Sequence, residues 1–518
     1  MSSIINRQQV ATVEIPWWSR TSTMLVFMMI STFPLWFATT PPLIDFLGHM
    51  ARYHVALDIE HNPLLAKSWS YQWALIGNLG VDLLIVPVAK LIGLEPAAWL
   101  IAALLPPLMI WGIFRAARAV YGVLPPTAVA ILPFALAYPY QYGFVNYWLA
   151  SALGFHAFAL WVNTQDRALF RSIIFVPISF AIWICHVYGW AIFGVLIGGY
   201  ELSSALRYKQ AGIVRPILGA IVRTWPLLTV VVAMVIWRSN GQGAETVGWF
   251  EFRWKMNAGL LTLRDQWKPL DIGSLTAVIF LIYYGFRDKY AKFDLRFGTA
   301  ALLLVGALIV IPYQLFGSAF ADARVYPFIF ITAILSVRLS PDAHGHRIIR
   351  IVTVGFAALF AVRVIVSAIG YAQYDVEYKK HLAALDYVER GASVAVLVGT
   401  PCTTPWRLPR TEHLGSMALL RRDAFVSSQW DVPGAELLRA KRAVGTSFQA
   451  DPSQFVSDPK CRSDLRPALA KRIAQMPRQY FDYLWVFNFE IGSLPQYRNL
   501  TPVYHDKDTI LYRLTVAK

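Results

Sequence analysis

The sequence predicts an α-helical protein that crosses a membrane many times and ends in a small α/β unit. Three observations predict it. Of 518 residues, 56% are apolar and only 15% charged, against roughly a quarter charged in soluble domains. Apolar stretches at 24–37, 75–92, 227–237, 300–311 and 351–369 form or sit inside runs close to the roughly 20 residues a spanning helix needs, and in lipid only a helix satisfies its own backbone over that length. From Asp375 onward charged residues become frequent, and no further stretch is long enough to span.

Arg7 and Arg20 precede the first span, so the positive-inside tendency puts the N-terminus inside and the following loop, 41–72, outside. Pro41-Pro42 follows the apolar run where a cleavable signal would carry small residues, so the first span is expected to stay as an anchor. Within the loop a short amphipathic helix is expected over 45–58, with Phe46, Met50, Tyr53 and Leu57 at helical spacing. Segment 75–94 reads as a return, 99–114 as outward, 127–137 as a short return and 147–162 as outward again. This order leaves Arg115, Arg118, Arg167 and Arg171 outside, against the same tendency. A variant in which 172–200 is two short helices meeting at the outer surface, broken near His186 and Gly189, moves Arg167 and Arg171 inside. Spans at 213–237, 272–286, 297–311, 325–339 and 348–371 follow with basic connections, for about eleven crossings.

The chain thus divides into a membrane part, 1–374, with external loops at 41–72 and 238–271, and an external unit, 375–518. In the latter, 393–398 and 483–489 read as strands and 466–475 as helix. Cys402 and Cys461 fall there, and both the bridged and the free state are open. The net charge of +16 is spread over helix ends and the C-terminal region rather than one aromatic-interleaved tract. That pattern argues against nucleic acid and for topology plus attraction to anionic lipid. Glycine-rich phosphate loops, paired zinc spacings and nucleophile elbows are absent from the sequence, as is the internal repeat of many secondary transporters.

Residues able to carry chemistry gather just after the first span, in Ile44-Asp45-Phe46-Leu47-Gly48-His49-Met50-Ala51-Arg52. On a helix Asp45, His49 and Arg52 share a face. Asp45 reads either as a general base or as the helix N-cap, and Arg52 either as a bidentate phosphate contact or as a headgroup-zone cation. Asp58, Glu60 and His61 read as a solvated loop end in preference to a metal site, because His61 and Asp58 lack a third convincing ligand nearby. Asp82, with Asn78 four residues before it in a predicted span, has to be paired or face a cavity, because an acid there costs about 2.5–3.5 kcal/mol. The 238–271 loop interleaves Trp249, Phe250, Trp254 and Trp267 with Arg253, Lys255, Arg264 and Lys268, which places it in the interface as an aromatic belt or as a clamp over a lipid substrate. Arg324, in Asp322-Ala323-Arg324-Val325-Tyr326-Pro327 at the entrance of a late span, is either a snorkelling side chain or a phosphate grip. His186 is either a packing residue or a member of the same external cavity.

An acid early in the first external loop, together with an Arg and then a Pro at the external entrance of a late span, resembles the GT-C superfamily of integral-membrane glycosyltransferases, of the bacterial type that uses polyprenyl-phosphate sugars. The resemblance covers 24–371 and the external C-terminal unit. It implies a cell-envelope transferase, multi-pass in the bacterial inner membrane with its C-terminal unit periplasmic, moving a sugar from a polyprenyl phosphate to a lipid, glycan or protein. It implies Asp45 as base, His49 as its helper, and Arg52, Arg324, Arg253, Lys255 and His186 as substrate contacts. A divalent cation, Mg or Mn, on Asp45 and His49 is left open. The expected partners are the polyprenyl-linked sugar and membrane lipids. The rival readings are an oligosaccharide polymerase or ligase of the same fold, a transporter that depends on Asp82 rather than Asp45, and a non-catalytic assembly factor.

Overall fold

A computed structural model describes residues 15–206, 214–240, 245–340, 343–403, 405–432, 436–442, 444, 447–450, 452–457, 461, 466–490, 497 and 499–515. Two hydrophobic cores organise the chain. One fills a helical bundle, with Phe27, Phe114, Trp148, Phe193 and Phe328 among its buried side chains. The other fills a C-terminal α/β unit around Val396, Leu397, Trp485 and Leu511.

Six helices are long and apolar enough to cross a membrane: Leu94–Tyr121, Val145–Asn163, Ala168–Cys185, Val187–Leu206, Lys268–Arg287 and Gly345–Tyr387. The pair Val214–Arg223 and Trp225–Ile236, bent by 68°, has the form of a broken span or of a re-entrant loop. The remaining apolar stretches of the expected eleven form the shorter apolar helices Thr21–Phe37, Leu295–Val310 and Tyr326–Ser336 and a 3-10 run, Pro126–Leu136, none of which meets that spanning length. At roughly 2 Å rise per residue that run extends about 22 Å. Its side chains from Thr127 to Leu136 are buried, so neighbouring helices rather than lipid surround its weaker hydrogen bonds. Thr127 Oγ1 donates to Val337 O at one end, and Tyr138 N–H, just past the other end, donates to Thr262 O.

One expected span does not cross. Segment 75–94 forms the helix Gly80–Ile92, whose 13 residues reach only about 20 Å. It stays on the side of the C-terminal unit: Asp82 pairs with Arg52 at 2.9 Å, and Glu95, just beyond it, pairs with Arg421 at 2.9 Å. The direction of each passage from Leu94 to Asn163 is therefore reversed, while 168–206 takes the two-helix form expected as the variant. Leu94–Tyr121 leads away from the C-terminal unit, Pro126–Leu136 returns, Val145–Asn163 leads away, and Ala168–Cys185 and Val187–Leu206 return and leave again around a break at His186. Arg115, Arg118, Arg167 and Arg171 now lie at the far end of the bundle with Arg20, as the positive-inside tendency prefers. Arg118 donates there to Ser19 O.

In the C-terminal unit the strand Ser393–Thr400, an unbroken buried run typical of a strand covered on both faces, pairs in parallel with Phe425–Val426, Phe455–Ser457 and Tyr483–Phe487. Thr509–Leu514 joins antiparallel to Tyr483–Phe487 and to Leu500–His505. The expected strands and the short helix Leu469–Ala474 are present, and Cys402 and Cys461 are bridged. The last bundle helix, Ala343–Leu382, has 40 residues and is about 60 Å long, twice the hydrocarbon thickness. It continues past the expected boundary at 374 and lends Tyr374, Tyr378 and Leu382 to the second core.

The first loop forms the seam between the cores. Along Phe46–Asp58, the side chains of Phe46, Met50 and Tyr53 enter the bundle core, while Leu47, Ala51 and Val55 enter the core of the C-terminal unit. Each set follows the three- and four-residue spacing of one helix face, so this helix is apolar on two sides and polar only between them. Trp69–Tyr71 adds a second tie, pairing antiparallel with Leu438–Ala440.

Candidate active site at the seam

Asp45 occupies the N-cap position of Phe46–Asp58, but its side chain makes no capping hydrogen bond. Its place is fixed through the backbone instead, where Asp45 N–H donates to Tyr142 O at 2.8 Å. Gly143 makes this contact possible. Its φ is +94°, and a Cβ there would stand 2.7 Å from Phe46 N and 2.9 Å from Asp45 N, so a side chain would both strain the turn and push Asp45 away.

The carboxylate lies in the wall of a cavity of about 420 Å³. The bundle contributes Asp45, His49, Asn78, Asn146, His186 and Arg324 to that wall, and the C-terminal unit contributes Glu412, His413, Trp430 and Glu436. His413 Nε2 is 3.5 Å from Asp45 Oδ1 and 3.9 Å from Glu412 Oε1. Tyr142 OH donates to Glu412 Oε2 at 3.4 Å.

Burial, and next the negative charge of Glu412, raise the Asp45 carboxyl well above the usual carboxylate range, with Arg324 pulling the other way. The folded protein therefore binds a proton at Asp45 over a pH range where the unfolded chain has released it. The associated stability is present at low pH and is lost as pH rises through the raised value. Burial pushes His413 down to about 3. Burial first, then the charge of Arg52, lowers His49. Both shifts favour the neutral imidazole, which can donate or accept a hydrogen bond beside Asp45.

Arg324 stands at the entrance of Tyr326–Ser336 and is 5% exposed. Its guanidinium lies 3.9 Å from the centre of the Phe144 ring and 5.1 Å from that of Tyr188, and Nη1 donates to Ser318 Oγ at 2.7 Å. Among the described residues no carboxylate forms an ion pair with it, and its buried Nε has no hydrogen-bond partner. A desolvated cation held by rings and a hydroxyl is arranged to receive an anion.

Three cations named from the sequence stand elsewhere. Arg52 is 2% exposed and is paired with Asp82 and Glu436. Its helical phase places it near the site, but the buried Asp82 and the half-buried Glu436 already use its donors. Lys255 pairs with Asp322 at 3.5 Å beneath Trp254, whose indole N–H donates to the same carboxylate. Arg253, one residue earlier on the helix Phe252–Leu260, is exposed. Asp82, which had to be paired or face a cavity, is held by Arg52 and by Asn146 Nδ2 at 3.0 Å.

The sequence reading did not include Glu412, His413, Trp430 or Glu436. The acid–imidazole dipeptide Glu412-His413 was a signal of sorts, but nothing in a linear reading places residue 412 against residue 45. A divalent cation on Asp45 and His49 finds little support in the donor set. Among the described residues no three His, Cys, Asp or Glu side chains come together at ligand spacing, whereas Mg and Mn favour near-octahedral, oxygen-rich shells.

No family model and no curated protein matches the chain. Among solved structures it is similar to ArnT from Cupriavidus metallidurans bound to undecaprenyl phosphate, with TM-score 0.48 and 13% identity over 96% of this chain and 97% of that one. The apo state of ArnT from the same organism gives 0.48 and 14% over 95% and 96%. The arabinofuranosyltransferase AftD from Mycobacteria gives 0.45 and 15%, with 96% of this chain matching 40% of AftD.

Proposed function

We propose that the chain is a membrane glycosyltransferase of the GT-C type, moving a sugar from a polyprenyl-phosphate donor to a lipid, glycan or protein acceptor at the membrane face that carries the C-terminal unit. The observation that carries this reading is that an uncapped carboxylate, Asp45, and a cation without a carboxylate partner, Arg324, face one cavity. Transfer needs both. A base takes the acceptor hydroxyl's proton as the oxygen attacks the anomeric carbon, and a cation receives the phosphate as the bond to that carbon breaks.

In this reading Asp45 takes the proton, while His49 and the Glu412-His413 pair beside it adjust its charge and hydrogen bonding. Arg324 grips the phosphate with the donors that Ser318 leaves available. Asn78 and His186, which line the same cavity, offer hydrogen-bonding groups to the sugar. Burial in a narrow seam excludes water and strengthens each of these interactions. The transporter reading rested on Asp82, and Asp82 is engaged with Arg52 and Asn146. The test is to incubate the purified protein with radiolabelled polyprenyl-phosphate hexoses and pentoses in the presence of membrane lipid extracts. A newly labelled product is expected. Complete recovery of label in the donor across the panel would reject the proposal.

A further inference from the structure

The bundle wall and the C-terminal wall of the cavity meet at one side chain. Trp430 lies between two imidazoles, with its ring centre 5.2 Å from that of His49 and 4.3 Å from that of His413. Its edge rests on Gly48, where a Cβ would stand 2.1 Å from the indole ring. The preceding residue is pinned to the same spot, because Gln429 Nε2 donates to Gly48 O at 3.2 Å. Six residues further on, Glu436 is paired with Arg52 of the same helix. Gln429 and Glu436, on either side of the indole in sequence, are therefore both fastened to Phe46–Asp58. Both imidazoles flank Asp45 in sequence or in space: His49 is one helical turn beyond it and His413 Nε2 is 3.5 Å from its carboxylate.

We propose that Trp430 is a positioning residue of the transfer site: wedged on Gly48 between His49 and His413, it sets where both imidazoles stand relative to Asp45 and makes the C-terminal unit part of the site. This inference rests on the transferase function proposed above. Gly48 supplies an unusually clean lever. In a helix interior alanine is better than glycine, so Gly48→Ala strengthens the helix while forcing the indole to move. Loss of function in that variant reports the ring rather than the helix.

The experiment uses the full-length protein in lipid nanodiscs and compares Trp430→Phe, Trp430→Ala and Gly48→Ala with wild type. It reads kcat and KM for the labelled polyprenyl-phosphate sugar that wild type turns over. It also reads the rate at which diethyl pyrocarbonate modifies His49 and His413, followed by peptide mass. Misplacing a catalytic group by about 1 Å can cost about a hundredfold, so Trp430→Ala and Gly48→Ala are expected to lower kcat at least about tenfold. Donor KM should stay within about twofold, since Arg324 is untouched, and both histidines should react faster. Trp430→Phe keeps an aromatic wedge and is expected to restore most of kcat and the protection. Wild-type kcat in Trp430→Ala, or a fall in kcat with histidine protection unchanged, would overturn the proposal. If wild type transfers no sugar, the function itself is rejected, while the histidine rates still decide whether the ring holds the imidazoles.

Discussion

Arg52 and Arg324 are both buried arginines beside the seam, and both were legible from the sequence as phosphate contacts, yet their surroundings differ in kind. Arg52 sits between Asp82 and Glu436 and ties together the first-loop helix, the helix Gly80–Ile92 and the C-terminal unit. Arg324 sits among Phe144, Tyr147 and Tyr188 with one hydroxyl partner and an unused Nε. A cation between two acids is neutralised and structural. A cation held by ring faces keeps its charge available, and removing it breaks no ion pair, although Asp45 in the same cavity loses a charge that opposes the rise of its pKa. What a buried charge does follows from what already compensates it.

The largest expected effect tests the structural side of this contrast. Arg52→Ala strands the buried Asp82 and the half-buried Glu436, and losing one partner of such a cluster costs about 3–5 kcal/mol. We expect a clear fall in thermal midpoint and detachment of segment 429–436, read by limited proteolysis. Arg324→Met keeps the apolar stem and breaks no ion pair, and it lets the Asp45 carboxyl rise further. It is expected to leave the midpoint nearly unchanged and to weaken donor binding about tenfold or more, as loss of a charge-assisted hydrogen bond worth about 1.5–3 kcal/mol implies. Reversed outcomes, with Arg52→Ala stable and Arg324→Met unfolded, would break the comparison.

Gly143→Ala should act between these two, lowering transfer through displacement of Asp45 while the cavity's cation stays in place. Equal transfer rates in the variant and the wild type would show that the close approach of Gly143 to Asp45 N is not needed. The smallest effect concerns pH. With Asp45 raised by burial and by Glu412, transfer should climb with pH through a limb above the usual carboxylate range, because only the ionised form is a base. Glu412→Gln removes one raising charge, so that limb should move to lower pH. A limb that stays in place or moves up would remove Glu412 from the account.

Much of the bundle was legible because spanning helices announce themselves by length and apolarity. The helix Phe46–Asp58 was also legible through Phe46, Met50, Tyr53 and Leu57, but its other face, Leu47, Ala51 and Val55, was not. A helix buried on two sides loses the single stripe that sequence periodicity detects. Segment 75–94 misled because its leucines face outward from an edge helix too short to cross, and a hydropathy run does not distinguish the two. The misassignment carried its own warning in the four arginines it left on the wrong side. Asp45, His49, His186 and Arg324 come together in one cavity. The other half of the wall, Glu412, His413, Trp430 and Glu436, comes from the C-terminal unit, far from Asp45 in the chain, and joins them only through tertiary packing.

The most direct test of the central claim, that Asp45 is a base facing a bound donor rather than a helix cap, is Asp45→Asn measured for both carrier-lipid binding and sugar transfer. The account predicts an inserted, folded protein that binds polyprenyl phosphate as wild type does and transfers sugar at least about a hundredfold more slowly. Transfer at the wild-type rate would contradict it.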